Sequence, residues 1–261
     1  MSCIEYELYQ ILRWSYDRLP NVNFKNCFLY CAMFPEDKEI EADKLVGMWI
    51  AEGIVERKNP AILMETAKSY INLLVDHCLF EVAHFPQGIV FLKAHDVLRD
   101  MASYIGEKEE NCFFRAGQIH EHFPLEIRED CKRISLYDNN ITQLPPQGLQ
   151  CRKLVSLILR GNKGLEEIPE AFLVNFPCLK VLDLSRTKMK TLPKSLWQLT
   201  QLEFLDLSYT EIEDVSEGII NLSRLPFLDL SGCSKMRSLP RHIRELKNLK
   251  SLQASQYNVV L

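Results

Sequence analysis

Three groups of side chains in this 261-residue chain have the types and spacing for chemistry: a His95-Asp96 pair, a His120-Glu-His122 triplet and nine cysteines. Read alone, His95-Asp96 fits an Asp that caps a beginning helix, with a His placed before it. The cysteines (3, 27, 31, 78, 112, 131, 151, 178 and 233) are odd in number, form no CxxC and follow no framework. They read as reduced thiols of a cytoplasmic protein. Cys27 and Cys31 share a helical face at i,i+4, but no His or further Cys lies near in sequence, so they are expected in a core. His120 and His122 read as an exposed pair in a linker. No metal site is expected. No Ser/His/Asp, Cys/His or paired-carboxylate spacing suggests catalysis. No G-x-x-x-x-G-K-[ST] cradle for phosphates is present.

A different kind of surface chemistry recurs down the second half. Ile134-Ser-Leu136, Leu157-Ile-Leu159, Leu182-Asp-Leu184, Leu205-Asp-Leu207, Leu228-Asp-Leu230 and Leu252-Gln repeat one phrase at 23 to 25 residues. That period with an L-x-L core marks a leucine-rich repeat solenoid, in which each unit buries its apolar face only by stacking. The central position of each phrase is expected to face outward: Ser135, Ile158, Asp183, Asp206, Asp229, Gln253. Three aspartates on neighbouring strands would then stand ~4.8 Å apart and repel by about 0.9 kcal/mol per pair in water. Beside them fall Tyr137 and Arg160, then Arg186 and Tyr209. One reading is an acidic stripe that docks a basic partner through Tyr137, Arg160, Asp183, Arg186, Asp206, Tyr209 and Asp229. In the other reading, the aspartates are solvated or bonded to nearby serine hydroxyls.

The elements that hold these columns are legible from turn residues. Asn139, Asn162, Thr187, Thr210 and Cys233 each follow the second apolar position by three residues, where a short polar or thiol head can bond the bending backbone. Leu144-Pro145, Ile168-Pro169, Leu192-Pro193 and Leu239-Pro240 impose extended geometry after them. Val215-Ser216 replaces this pair in the fourth copy, so the backbone is expected to be less fixed there. The last copy ends without a polar capping repeat, which gives about six repeats and an array cut short.

Residues 1–110 read differently. Helices are expected over Leu8–Tyr16 (with Leu8, Ile11, Leu12 and Tyr16 as its stripe), Asn26–Met33, Ala42–Glu52 with Gly53 as C-cap, Ala61–Cys78 and Asp96–Ile105. Leu79–Val82 and Gly88–Leu92 flank a Pro86-Gln87-Gly88 turn as a hairpin. Together they make a winged-helix domain at 1–110, a linker at 111–130 and repeats at 131–261. The fold class is α/β: a mainly α winged helix, then a right-handed α/β horseshoe. Winged helices often bind DNA, but 11 Lys+Arg against 18 Asp+Glu leaves this half at net −7. Without a basic stripe to neutralise phosphates, no nucleic-acid partner is expected. The acidic N-terminus does not fit a signal peptide, and no apolar run is long enough for a membrane span.

Several phrases carry a family resemblance. Leu12-Arg-Trp-Ser-Tyr-Asp-Arg-Leu-Pro20, Cys27-Phe-Leu-Tyr-Cys-Ala-Met-Phe-Pro-Glu-Asp37, Met48-Trp-Ile-Ala-Glu-Gly53 and Lys93-Ala-His-Asp-Val-Leu-Arg-Asp-Met-Ala102 resemble plant nucleotide-binding leucine-rich-repeat disease resistance proteins of the coiled-coil type. The LDLS-x-T runs at 182–187 and 205–210 match too. The resemblance implies that His95 contacts the β-phosphate of ADP in a resting receptor, with Asp96 fixing its geometry. It also implies that ADP/ATP exchange drives a two-state switch. Ala94 replaces the family's Met, which removes apolar packing behind the His.

The absent NTPase core implies that this chain, a fragment or short form, is not an enzyme and does not hold ADP tightly alone. Its implied partners are proteins: a pathogen effector or guarded host protein, and the NTPase core of the same receptor. Oligomers are expected only of a full-length receptor. A stand-alone repeat adaptor with no nucleotide role is the alternative.

Overall fold

A computed structural model describes residues 3–57, 59, 61–84, 89–239 and 241–254. The chain divides into two compact units after Glu110.

The first unit is built on short helices. α1 (Cys3–Asp17) is followed by α2 (Val22–Leu29), which starts four residues before the expected Asn26. Its cap explains the shift, because the Asn21 side chain accepts from the Asn23 and Phe24 amides at 2.9 and 3.3 Å. A 3₁₀ turn at Tyr30–Met33 closes it. α3 (Ala42–Glu52) ends on Gly53 at φ 87°, a left-handed position that glycine reaches at low cost. α4 (Leu63–Asp76) buries Leu63, Ala67, Tyr70, Ile71 and Leu74, and its Tyr70 ring lies 4.2 Å from that of Phe24. Cys27 and Cys31 are buried, and burial pushes the Cys31 thiol well up. Ile11 departs from the expected stripe: it is 66 % exposed, as is much of Trp14, while Tyr16 is buried.

The wing has three strands in the order β1-β3-β2, all antiparallel. They are β1 (Ile40–Glu41), β2 (Glu81–His84) and β3 (Val90–Lys93). Two-residue β1 has too little period to be read from sequence. The Pro86-Gln87-Gly88 turn lies outside the described residues. α5 (Asp96–Glu109) then packs Leu98, Met101, Ala102 and Ile105 into the core.

The second unit is a seven-stranded parallel sheet in chain order. Its strands are β4 (Cys112–Phe114), β5 (Arg133–Ser135), β6 (Ser156–Ile158), β7 (Val181–Asp183), β8 (Phe204–Asp206), β9 (Phe227–Asp229) and β10 (Ser251–Gln253). The six phrases account for six of them. β4 lies in the stretch read as a linker, where Cys-Phe-Phe carries no leucine phrase, yet it pairs with β5 in the same register. Leucines at inward positions, including Leu157, Leu182, Leu205 and Leu228, stack into one continuous core.

The turn residues act as expected. Asn162 is fully buried; its Nδ2 donates to the Leu136 and Leu159 carbonyls at 2.9 and 2.7 Å, and its Oδ1 accepts from the Ile141 amide at 3.0 Å. Thr187 and Thr210 each donate Oγ1 to the carbonyl three residues back, at 2.7 Å, and Thr210 Oγ1 also meets Cys233 Sγ at 3.5 Å. Ser216 keeps the geometry of the prolines it replaces (φ −64°, ψ 161° against −67°, 149° at Pro193), so its backbone is as extended there as theirs. The neighbouring Val215 is buried, which holds the chain in the same path.

Candidate functional site

The His95 motif begins at the end of the wing. β3 delivers Lys93, and the chain turns at His95 (φ −61°, ψ 147°), which is itself the N-cap of α5; Asp96 is the first helical residue. The N-cap position thus falls one residue earlier than the sequence placed it, and the His95 side chain makes no cap hydrogen bond there. The His95 side chain is 63 % exposed, and its Nε2 lies 2.7 Å from the Glu81 carboxylate on β2. Glu81, not Asp96, is therefore the acid that meets the imidazole. The β2–β3 register places Glu81 opposite Lys93, two residues from His95, which no sequence spacing revealed.

Two further pairs tie the same segment down. Lys93 Nζ lies 2.9 Å from Asp37, which raises the lysine's pKa and holds the carboxyl below its usual value. Arg99, one turn after His95, reaches Glu36 at 2.7 Å and the Phe34 carbonyl at 3.4 Å. The Phe34-Pro-Glu-Asp37 phrase and the His95 motif are thus neighbours in space. Each of the motif's three basic side chains faces a carboxylate from a distant segment. An exposed imidazole at the N-terminus of a 14-residue helix suits an anion, yet Asp96 and Glu81 leave the vicinity acidic.

On the repeat sheet, Asp183, Asp206 and Asp229 are stacked partners in register. They are also buried, at 2, 0 and 7 % exposure. An acidic stripe open to a partner is therefore ruled out. Each carboxylate folds back to accept from the amide two residues on: Ser185 at 2.9 Å, Ser208 at 2.9 Å and Ser231 at 2.8 Å. The reason lies in the ladder. The Leu184 and Arg186 amides donate to β8 and its extension, and the Ser185 amide between them takes its own aspartate instead.

Arg160 crosses this column. Its Nε donates to the Tyr137 hydroxyl at 2.8 Å and its Nη1 to Ser185 Oγ at 2.7 Å, with Asp206 at 3.9 Å. Burial opposes its charge, but Asp183, Tyr137 and Asp206 together hold it protonated. Tyr137 is buried in the same network. Five of the seven expected contact residues are thus engaged internally. Arg186 and Tyr209 remain exposed, with the guanidinium 4.5 Å from the ring centre.

The thiols of the repeat unit are placed for packing. Cys131 and Cys151 are buried, and desolvation raises them to about 12 and about 11. No group of His, Cys, Asp and Glu fit for a metal occurs among the described residues. No helix among them is long and apolar enough to cross a membrane.

A winged helix with a His-Asp motif at its last helix, joined to leucine-rich repeats, defines the class of chain. Residues 33–102 match the family described as disease resistance protein winged helix domain, and 166–260 match a leucine-rich repeat region. Relatives include a probable disease resistance protein, At4g27220, of Arabidopsis thaliana, 34 % identical over 203 residues, covering 76 % of this chain and 22 % of the relative. Another is the Arabidopsis thaliana disease resistance protein RPS5, 34 % identical over 210 residues, covering 78 % of this chain and 23 % of the relative. Among solved structures, the leucine-rich repeat domain of the type III effector XCV3220 (XopL) aligns with a TM-score of 0.43 at 17 % identity, covering 77 % of this chain and 78 % of that one. This chain is homologous to the winged-helix and leucine-rich-repeat region of plant disease resistance proteins, and it spans less than a quarter of the length of these two relatives.

Proposed function

We propose that this chain is the winged-helix and repeat portion of an intracellular plant immune receptor. In this reading the winged unit forms one wall of an ADP site, and the repeats bind protein and restrain activation. The observation that carries it is His95 itself: an exposed imidazole at the head of α5, held in a set orientation by Glu81 at 2.7 Å. No nucleotide-binding core lies in the matched regions, so the rest of the site belongs to other parts of a receptor.

ADP, supplied with that core, would bring a phosphate to His95 Nε2 as acceptor. The phosphate must displace the Glu81 carboxylate, because one ring nitrogen donates one strong bond. His95 is then carboxylate-held or phosphate-held, and exchange of nucleotide biases which state is populated. Asp96 opens the helix that follows His95 and so sets where the turn ends.

A chimera in which this chain replaces the corresponding region of an Arabidopsis relative tests the reading. Asp96→Val is expected to raise cell-death output above that of the unsubstituted chimera by loosening the ADP-bound state. Output that stays at the unsubstituted level refutes the resting-state role of the motif. The pairing of Lys93, His95 and Arg99 with carboxylates favours one other reading, a repeat adaptor that never meets nucleotide. Signalling by this chain in cells that lack any NTPase partner, unchanged by His95→Ala, supports that adaptor instead.

A further inference from the structure

After β4 to β9 the chain turns out of each strand through a left-handed residue. These are Gly117, Asp138, Gly161, Arg186, Tyr209 and Gly232, with φ between 50 and 78°. Three are glycine, and aspartate tolerates the conformation. Arg186 and Tyr209 do not favour it, because there the Cβ crowds the following carbonyl oxygen. The two stand on adjacent repeats, both exposed, with Tyr209 at 55 %.

Their surroundings fix them in place. The Arg186 amide donates to the Ser208 carbonyl at 2.9 Å and the Tyr209 amide to the Ser231 carbonyl at 2.8 Å, so the left-handed backbone is locked by the ladder. The Tyr209 ring lies over Gly232, where a Cβ would come within 2.6 Å of it. The Arg186 guanidinium lies over the ring, 4.5 Å from its centre. Arg160 is engaged by Tyr137 and Ser185, whereas no carboxylate pairs with Arg186 among the described residues. The result is a rigid aromatic plate with a planar, unpaired cation on it, the combination that anchors protein interfaces.

Resting on the reading of the repeats as a protein-binding unit, we infer that Arg186 and Tyr209 form the anchor for an acidic peptide segment of the partner. A carboxylate would take the guanidinium fork and an adjacent apolar side chain the exposed part of the Tyr209 ring. A carboxylate fits better than a phosphate. Among the described residues Arg186 is the one arginine exposed at this place, and the buried Asp183 and Asp206 end the two strands that lead to Arg186 and Tyr209. A dianion feels their repulsion about twice as strongly as a single charge.

The test uses the full chain and a defined probe: a capped tetrapeptide Asp-Leu-Glu-Phe, titrated while the ring signals of Tyr209 are followed by NMR. Saturable shifts are expected, with affinity about 5- to 10-fold weaker for Arg186→Gln and unchanged for Lys190→Gln, whose native ammonium is paired with Glu166. Gly232→Ala is expected to displace the ring and weaken binding while Arg186 is intact. Equal binding of the Asn-Leu-Gln-Phe peptide, tighter binding of a phosphoserine version, or affinity indifferent to Arg186→Gln each overturns the acidic-peptide anchor. Those outcomes leave the receptor reading standing, since the Asp96→Val chimera decides that separately.

Discussion

Removing the side chain of Asn162 measures how much the asparagine position contributes to a repeat. In Asn162→Ala the Ile141 amide loses its acceptor at 3.0 Å, and the Leu136 and Leu159 carbonyls lose donors at 2.9 and 2.7 Å, in a fully buried site. Leaving a buried group unsatisfied costs about 1 to 3 kcal/mol, so the three losses together give roughly 3 kcal/mol at the low end of that range. Thr187→Ala at the equivalent place removes one bond, Oγ1 to Leu184 O at 2.7 Å, worth about 1 kcal/mol. Hydrogen exchange read peptide by peptide separates the two units and reports local opening free energies. At about tenfold per 1.4 kcal/mol, amides of residues 134–162 should exchange roughly two orders of magnitude faster in Asn162→Ala, against about fivefold near Thr187 in Thr187→Ala. Asn162→Thr should fall between them. If the alanine variants accelerate exchange equally, the bridging bonds do not carry the stability assigned to them, and stacking of leucines alone holds these repeats together.

Ser216→Pro is expected to stabilise the repeat unit by about 0.5 to 1 kcal/mol, because φ −64° already matches proline and the change restricts only the unfolded chain. Calorimetry should show a rise of roughly 1 to 4 °C, and a fall would show that the Ser216 amide is needed. His242 is held by Glu245 at 2.7 Å and by Glu217 of the preceding turn at 3.1 Å, which raises its pKa above 6.5. Its contribution is then fully present below 6.5 and is lost as pH rises through the higher folded value. The difference in urea midpoint between the native chain and His242→Gln should shrink across that window, and a difference that grows with pH would contradict the pairing.

The repeats were legible because one apolar phrase and one turn position recur together, and both are imposed by stacking. β4 escaped because Cys-Phe-Phe lacks that phrase; at the end of an array, inward positions need not be leucine, and Phe113 serves. Gly117 was the available signal, since it fills the left-handed position that Asp138 fills one repeat later. The aspartate column was read in the right register and with the wrong exposure. Alternation along a strand says which way a side chain leaves the backbone, but the fate of the Ser185, Ser208 and Ser231 amides decides where its carboxylate ends. In the winged unit, the sequence singled out His95 and Asp96. It could not supply Glu81, which arrives through antiparallel pairing fourteen residues away.

This distribution of roles bears on how the two units can vary. On the repeat sheet the columns nearest the strands hold Asp183, Asp206, Asp229, Arg160 and Tyr137, each committed to a backbone amide or to one another. Replacing any of them leaves a buried polar group unsatisfied, so a change there costs stability. The left-handed rim is different. The Arg186 and Tyr209 amides are held by ladder bonds, and both side chains project outward. A change there alters the surface and leaves the core untouched. The strand face is thus committed to the fold, and the exposed Arg186 and Tyr209 stand at the turns that follow β7 and β8.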